Sequence, residues 1–314
     1  MGRQQIKRER VGPYEVAIVG AGPAGLSAGQ WLARFLHDVV LIDSGDPRNW
    51  ATQGIHGMLG HANIRPAELR RRGREECRSY GVELIDDHVD HARRRQELDL
   101  FELKTRDGRT IEAKRVLIAI GVQDNWPSIP GLERCYGTTV HTCPHCDGYE
   151  ARDSPTAVLG SGPKAASVAI ALAVWTRELF ICTHGERPHF GDPLSERLEM
   201  LGIRVITEPI LFLEARLRYL HHIDFESGRN LACEHIFIAM GQHPPDDIGE
   251  QLGCHREDVG LITIDEHHQT SVPHVFAAGD ITPGLQLASR AACHGVEAAI
   301  AIHRSLIPPN MQAH

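Results

Sequence analysis

Positive charge is in short supply: 33 Lys and Arg stand against 41 Asp and Glu, for a formal net charge of −8 over 314 residues. A chain without a net basic field lacks the electrostatic footprint of a nucleic-acid or anionic-membrane partner. Long apolar runs are missing too. No stretch approaches the ~20 residues of a membrane-spanning helix. The polar, basic head Met1–Arg10 has no apolar core of the signal-peptide kind, and its Glu9 argues against a transit peptide. A cytoplasmic protein is expected. Closely spaced cysteines are also rare. Of the 8 cysteines, Cys77, Cys135, Cys182, Cys233, Cys254 and Cys293 are scattered singly. In a reducing compartment such residues are expected to be buried small hydrophobes. Only Cys143 and Cys146 lie close together and need their own explanation.

Glycine, by contrast, is plentiful at 30, and two of its clusters organise the chain. The run Tyr14-Glu-Val-Ala-Ile-Val feeds Gly20-Ala-Gly22-Pro23-Ala24-Gly25. A helical stretch to about His37 follows, and then a second β run, Asp38-Val-Val-Leu-Ile-Asp43. The run Pro155-Thr-Ala-Val-Leu leads likewise into Gly160-Ser-Gly162-Pro-Lys-Ala165, a helix from Ala166 to Trp175 and the strand Glu178-Leu-Phe-Ile-Cys182. Two such βαβ units predict an α/β protein with two Rossmann-like, FAD/NAD(P)-binding domains. Two further echoes, Arg115-Val-Leu-Ile-Ala-Ile-Gly121 and His235-Ile-Phe-Ile-Ala-Met-Gly241, are each followed by a proline-rich stretch and read as hinge crossings. The second domain is then inserted into the first. Residues 1–122 and 243–314 form one dinucleotide-type domain, and residues 123–242 form the other, which carries the cysteine pair. The charged run Arg70–Glu76 reads as the solvated face of a helix, and the tail Ile307–His314 as disordered.

The first glycine motif carries a specific job at each position. Gly20 permits the tight turn, Gly22 lets backbone approach a pyrophosphate, and Gly25 lets the helix pack on the strand. The helix start then offers free N–H groups and the positive end of its dipole to the phosphates. Asp43 ends the next strand, where an acid accepts bonds from ribose hydroxyls.

Three segments, Gly20-Ala-Gly-Pro-Ala-Gly25, Cys143-Pro-His-Cys146-Asp147-Gly148 and Thr270-Ser-Val-Pro to Ala278-Gly279-Asp280, resemble the low-molecular-weight thioredoxin reductase family in order and spacing over nearly the whole chain. The resemblance implies FAD as cofactor, which makes 1–122 with 243–314 the FAD-binding domain and 123–242 the pyridine-nucleotide-type domain. It places Asp280 on the ribityl chain and directs the helix after Gln286 at the flavin N1/O2 edge, where its dipole stabilises the reduced anion. It also implies a homodimer, and electron flow between flavin and a Cys143/Cys146 disulfide. Cys146 would sit nearest the flavin and Cys143 would attack thioredoxin or a similar disulfide. Asp147 matches the family's acid, which moves protons to and from the thiols. His141 and His145 flank the pair and are placed to tune thiolate character.

A zinc half-site is the other use of such a pair. It is disfavoured here because no second Cys pair exists to complete a tetrahedral site.

The sequence also departs from the family. Where relatives that use NADPH carry a basic cluster for the 2′-phosphate, this chain reads Cys182-Thr-His184-Gly-Glu186-Arg187. A lone Arg beside a Glu is a thin phosphate reader, so NADPH is a doubtful donor. The Arg expected before Gln286 is Leu285. Pro47-Arg48-Asn49 and His56-Gly57-Met-Leu-Gly60 resemble a subgroup near the ferredoxin-linked flavin thioredoxin reductases and the gliotoxin- and holomycin-type dithiol oxidases. His56 is expected along the flavin. Two readings stay open: a reductase fed by NADPH or ferredoxin, and an O₂-dependent oxidase that closes a disulfide in a small dithiol.

Overall fold

The structure is a computed structural model that describes residues 12–311; residues 1–11, with the basic head 1–10, and the tail residues 312–314 lie outside the described residues. Two compact units are present, and each is built around its own sheet.

The first unit contains the chain up to Arg48, Ala67–Gln123, and the chain from His243 on. Its central strand, Tyr14–Val19, is buried almost end to end, as parallel strands covered on both faces are. It pairs in parallel with Val39–Asp43 on one side and Thr110–Ile118 on the other. Glu83–Asp86 extends the sheet beyond Val39–Asp43, and Val275–Ala277 pairs with the C-terminal half of Thr110–Ile118. Two antiparallel strands, Val89–Arg95 and Leu100–Thr105, complete it.

On this sheet lies the helix Pro23–Arg34. It starts at Gly22 with Pro at its first position, where the missing N–H is no loss. Its small residues let it pack closely on two sides: Gly25 and Gly29 face Ile18 of the central strand, and Ala24 meets the long helix Ala288–Leu306. Contact is so close that a Cβ on Gly295 would fall 2.1 Å from the Ala24 carbonyl oxygen.

The second unit contains Asn49–Pro66 and Asp124–Gln242. Five parallel strands run in the order Arg204–Ile206, Leu179–Cys182, Thr156–Leu159, His235–Ile238, Val140–His141. Pro163–Leu172 and Asp192–Met200 are its longer helices. A separate antiparallel sheet holds Ile210–Arg216, Tyr219–Phe225 and Asn230–Ala232.

The echo between the glycine motifs extends to individual hydrogen bonds. Gly20 N–H donates to the Ile42 carbonyl at 2.7 Å, and Gly160 N–H donates to the Cys182 carbonyl at 3.1 Å. Ala119 N–H reaches the Val19 carbonyl and Ala239 N–H the Leu159 carbonyl, each at 2.8 Å. The two turns are the same construction made twice.

Three sequence expectations change. The segment Asn49–Pro66, read from sequence as part of the first domain, clusters with the second unit. Its Ala51 joins that unit's core, and Gly137, at φ +73, leaves only 2.4 Å for a Cβ against the Ala51 backbone. The Arg70–Glu76 run does lie on a helix, Pro66–Ser79, but only part of it faces solvent. Arg71 and Arg72 pair with Glu68 and Glu75 at the surface, while Arg70 and Arg74, four apart and so on one face, turn inward to Asp43. The tail expected to be disordered begins with a turn, Pro309–Met311, closed by a bond from Met311 N–H to the Pro308 carbonyl.

Among the described residues no helix is long and apolar enough to cross a membrane.

Candidate functional site

In the second unit, Cys143 and Cys146 are joined as a disulfide. Cys143 is the extended N-cap of a single helical turn, Pro144–Asp147, and the Cys146 N–H donates to its sulfur at 3.1 Å. A donor aimed at that sulfur favours its thiolate once the bond is reduced. Gly148 has ordinary helical angles; it is glycine because a Cβ would strike Trp175 at 2.7 Å.

Asp147 is largely withdrawn from water, and burial, with Glu150 adding to it, pushes its carboxyl up to about 7 against the opposing pull of His56. An acid so placed holds or releases a proton near neutrality. His141 behaves differently. Burial, with the fields of His235 and His56, drives it down to about 3, so it stays neutral at physiological pH. Its Nε2 sits 3.1 Å from His235 Nδ1, on the neighbouring strand, and its ring stacks on His235. His145 is exposed. His56 reaches the same carboxylate: its Nε2 is 3.8 Å from Asp147 Oδ1.

In the first unit the glycine turn forms a cradle. Gly20 has φ +103 and leaves only 2.4 Å for a Cβ against the Ala119 carbonyl oxygen, while a Cβ on Gly25 would sit 1.9 Å from the Gly20 oxygen. Neither position tolerates a side chain. Gly22 is the reverse case, because a Cβ there meets nothing within 4 Å. Its glycine serves open space beside the helix start, which fits a pyrophosphate. Asp43 Oδ1 accepts from the Ala21 N–H at 3.0 Å, and its Oδ2 accepts from Arg70 at 2.8 Å and Arg74 at 3.1 Å. Gly279, at φ +81, packs on Ala24, and Asp280 follows it in a short turn, Gly279–Ile281. Gln286 lies just before the long helix.

Residues 14–295 match the family described as pyridine nucleotide-disulphide oxidoreductase. The chain belongs to that family.

Its similarity to individual members is consistent along its length. The crystal structure of HlmI superposes with a TM-score of 0.88 at 32% identity, covering 95% of this chain and 93% of that one. The thioredoxin reductase of Streptococcus pyogenes superposes with a TM-score of 0.86 at 26% identity, covering 93% and 98%. The thioredoxin reductase tcpT of Claviceps purpurea is 28% identical over 85% of this chain and 86% of its own length. As a member of the pyridine nucleotide-disulphide oxidoreductase family resembling thioredoxin reductases, the chain is a flavin-dependent disulfide oxidoreductase. The open Gly22 cradle accommodates FAD.

Leu285 stands where the resemblance implies an arginine, and a guanidinium reaches the neighbouring Gln286 from elsewhere in the chain. Arg48 Nη1 donates to Gln286 Oε1 at 2.7 Å and lies 3.4 Å from Asp280 Oδ2. The second glycine motif keeps the family's backbone but is filled. His189 Nε2 would lie 2.9 Å from a Cβ on Gly162, and the Ser161 hydroxyl donates to the Glu186 carboxylate. Where the first turn is open, the second carries an imidazole and an anion.

Of the scattered cysteines, Cys77, Cys135, Cys182, Cys233 and Cys254 are buried, and burial pushes Cys77 up to about 11 and Cys182 up to about 12. Cys293 departs from the expectation of burial: it is exposed on the helix Ala288–Leu306, which presents only part of its surface to the core.

Proposed function

We propose that this flavoenzyme exchanges electrons between FAD and the Cys143–Cys146 disulfide and passes them to a thioredoxin-type protein disulfide, with a donor other than NADPH. The observation that carries this reading is the pairing of the disulfide with an adjacent acid, Asp147, poised near neutral pH.

FAD, when bound, supplies two-electron exchange with the disulfide. The rest falls to this chain's residues. Gly20, Gly22 and Gly25, with Pro23 and Ala24 between them, form the turn that receives the pyrophosphate. Asp43 holds that turn through the Ala21 N–H and presents its carboxylate at the ribose end, where Arg70 and Arg74 fix its orientation. Gly279 and Asp280 carry the ribityl-binding segment. Arg48, held on Gln286, would supply a cation beside that segment to stabilise negative charge on a bound flavin. Cys143, whose sulfur receives the Cys146 N–H, attacks the partner disulfide. Asp147 moves the protons.

The doubt over NADPH rests on the plugged second turn. A phosphate entering there must displace His189 from Gly162 and tolerate the Glu186 carboxylate beside Ser161. Ferredoxin is a donor that needs no such cradle. The similarity to HlmI and the weak nucleotide site favour keeping one alternative: an O₂-dependent oxidase that runs the same path backwards from a small dithiol.

Anaerobic mixing of the purified enzyme with NADPH, followed by flavin absorbance, tests the donor. No bleaching within minutes is expected. Rapid bleaching means the second turn works and NADPH is the donor. In the first case, bleaching by a small dithiol with recovery in air identifies the oxidase direction.

A further inference from the structure

Asp147 stands between two histidines of opposite character. On one side, His141 Nδ1 lies 3.6 Å from Asp147 Oδ2. That ring is enclosed by His235 and Phe237 and is only 6% exposed. It is held neutral, and His235 beyond it is buried in turn, which leaves this side without a route to water. This side is a dead end for protons.

On the other side, His56 Nε2 faces Asp147 Oδ1, and the side chain is 28% exposed. Its Nδ1 is 2.9 Å from Asn63 Oδ1 and 3.5 Å from Glu150 Oε1. An amide oxygen only accepts, so Nδ1 carries hydrogen in the neutral ring and the Nε2 lone pair is left towards Asp147. The two ring nitrogens of His56 face two carboxylates, Asp147 and Glu150. His56 thus stands between a half-buried acid and water.

We propose that His56 is the relay residue that returns protons from solvent to Asp147 during disulfide exchange at Cys143–Cys146. The proposal rests on reading that pair as the exchanging disulfide.

The step balances as follows. The Cys143 thiolate attacks an aliphatic disulfide, R–S–S–R′. A Cys143–SR bond forms, the R–S–S–R′ bond breaks, and the leaving R′S⁻ takes the Asp147 proton. Cys146 then gives up its proton, its thiolate displaces RS⁻ from Cys143, and the Cys143–Cys146 bond closes. RS⁻ leaves with the proton that Cys146 gave up. The enzyme dithiol is oxidised and the substrate disulfide is reduced to two thiols. One proton has come from Cys146 and one from Asp147, and Asp147 recovers its own through His56.

The test uses the full-length, FAD-loaded enzyme turning over anaerobically on excess hydroxyethyl disulfide, with reduced methyl viologen as the electron source and thiols counted over many turnovers, because Asp147 needs a new proton only after its first has been given. A parallel reaction uses an aromatic disulfide whose thiolate leaves without a proton. His56→Asn is expected to slow aliphatic turnover ~10- to 100-fold at pH 7–8, within the range of acid–base contributions. The aromatic reaction should be unchanged, and added imidazole should restore the aliphatic rate. Equal slowing of both reactions, or of neither, overturns the relay. Cys146→Ser in the same assay separates this from the underlying reading: it should release one thiol per enzyme and stop. If it keeps turning over, the reading of the pair itself fails.

Discussion

Cys146→Ser is expected to abolish multiple-turnover disulfide reduction, by at least ~10³-fold, in a protein that still folds and still binds FAD. A nucleophile and its resolving partner act as one unit, so removing either costs nearly the whole chemical step. The mixed disulfide formed at Cys143 then has nothing to resolve it. Stability should change little. The bond closes a loop with a sequence separation of only 3, and so short a loop is worth about 2 kcal/mol in the chain-entropy account. The flavin cradle lies in the other compact unit, with its own sheet and core. The measurement is steady-state turnover alongside flavin absorbance and thermal unfolding. Full turnover by Cys146→Ser would remove the disulfide from the mechanism.

The second large effect is expected at the cradle, where three glycines of one motif should fail in different ways. Gly22→Val should fold and be colourless. Gly22 has φ −75 and ψ −176, extended angles that valine adopts readily, and its Cβ direction is empty. The added methyls then fill the space reserved for the pyrophosphate. A lost fit of ~4 kcal/mol is about a thousandfold in Kd. Gly20→Val and Gly25→Val should not fold, because each drives a Cβ into a backbone oxygen in the core. Circular dichroism and flavin stoichiometry distinguish the two failures. Stoichiometric, tightly held FAD in Gly22→Val would show that the pyrophosphate lies elsewhere.

Why the glycine turn was readable and other parts of the site were not follows from distance along the chain. Gly20, Gly22 and Gly25 act within a few residues, through local backbone angles and the first turn of a helix, so their spacing carries the geometry. The same holds for Cys143, Cys146 and Asp147. Arg48 and Gln286 are separated by 238 residues. Nothing in either local sequence announces the other, and from the order of residues the arginine at Leu285 is simply missing. His56 and His235 reach the Asp147 neighbourhood in the same way, from a distant segment and from an adjacent strand. Gly295 gave no signal because a glycine inside a helical pattern looks like a weak residue until the opposing helix is in place. Arg70 and Arg74 were read with their solvated neighbours because charge content does not say which arginines turn inward. The second glycine motif was half legible: Glu186 marked it as a poor phosphate site, but the imidazole that fills it comes from His189, beyond the segment in which a phosphate reader was sought.

The unequal exposure of the cysteines gives the protein a chemical gauge of its own state. Five thiols are sealed in the two cores, and alkylating reagents act on accessible thiolates. In the oxidised enzyme only Cys293 is open to iodoacetamide, so one adduct is expected by intact mass; in the reduced enzyme Cys143 and Cys146 join it, and three are expected. The same arithmetic bounds what peroxide can damage. Sulfinic and sulfonic products should form on Cys293 before the five sealed thiols whenever the pair is closed, and slowly, because burial and Glu297 push its thiol up.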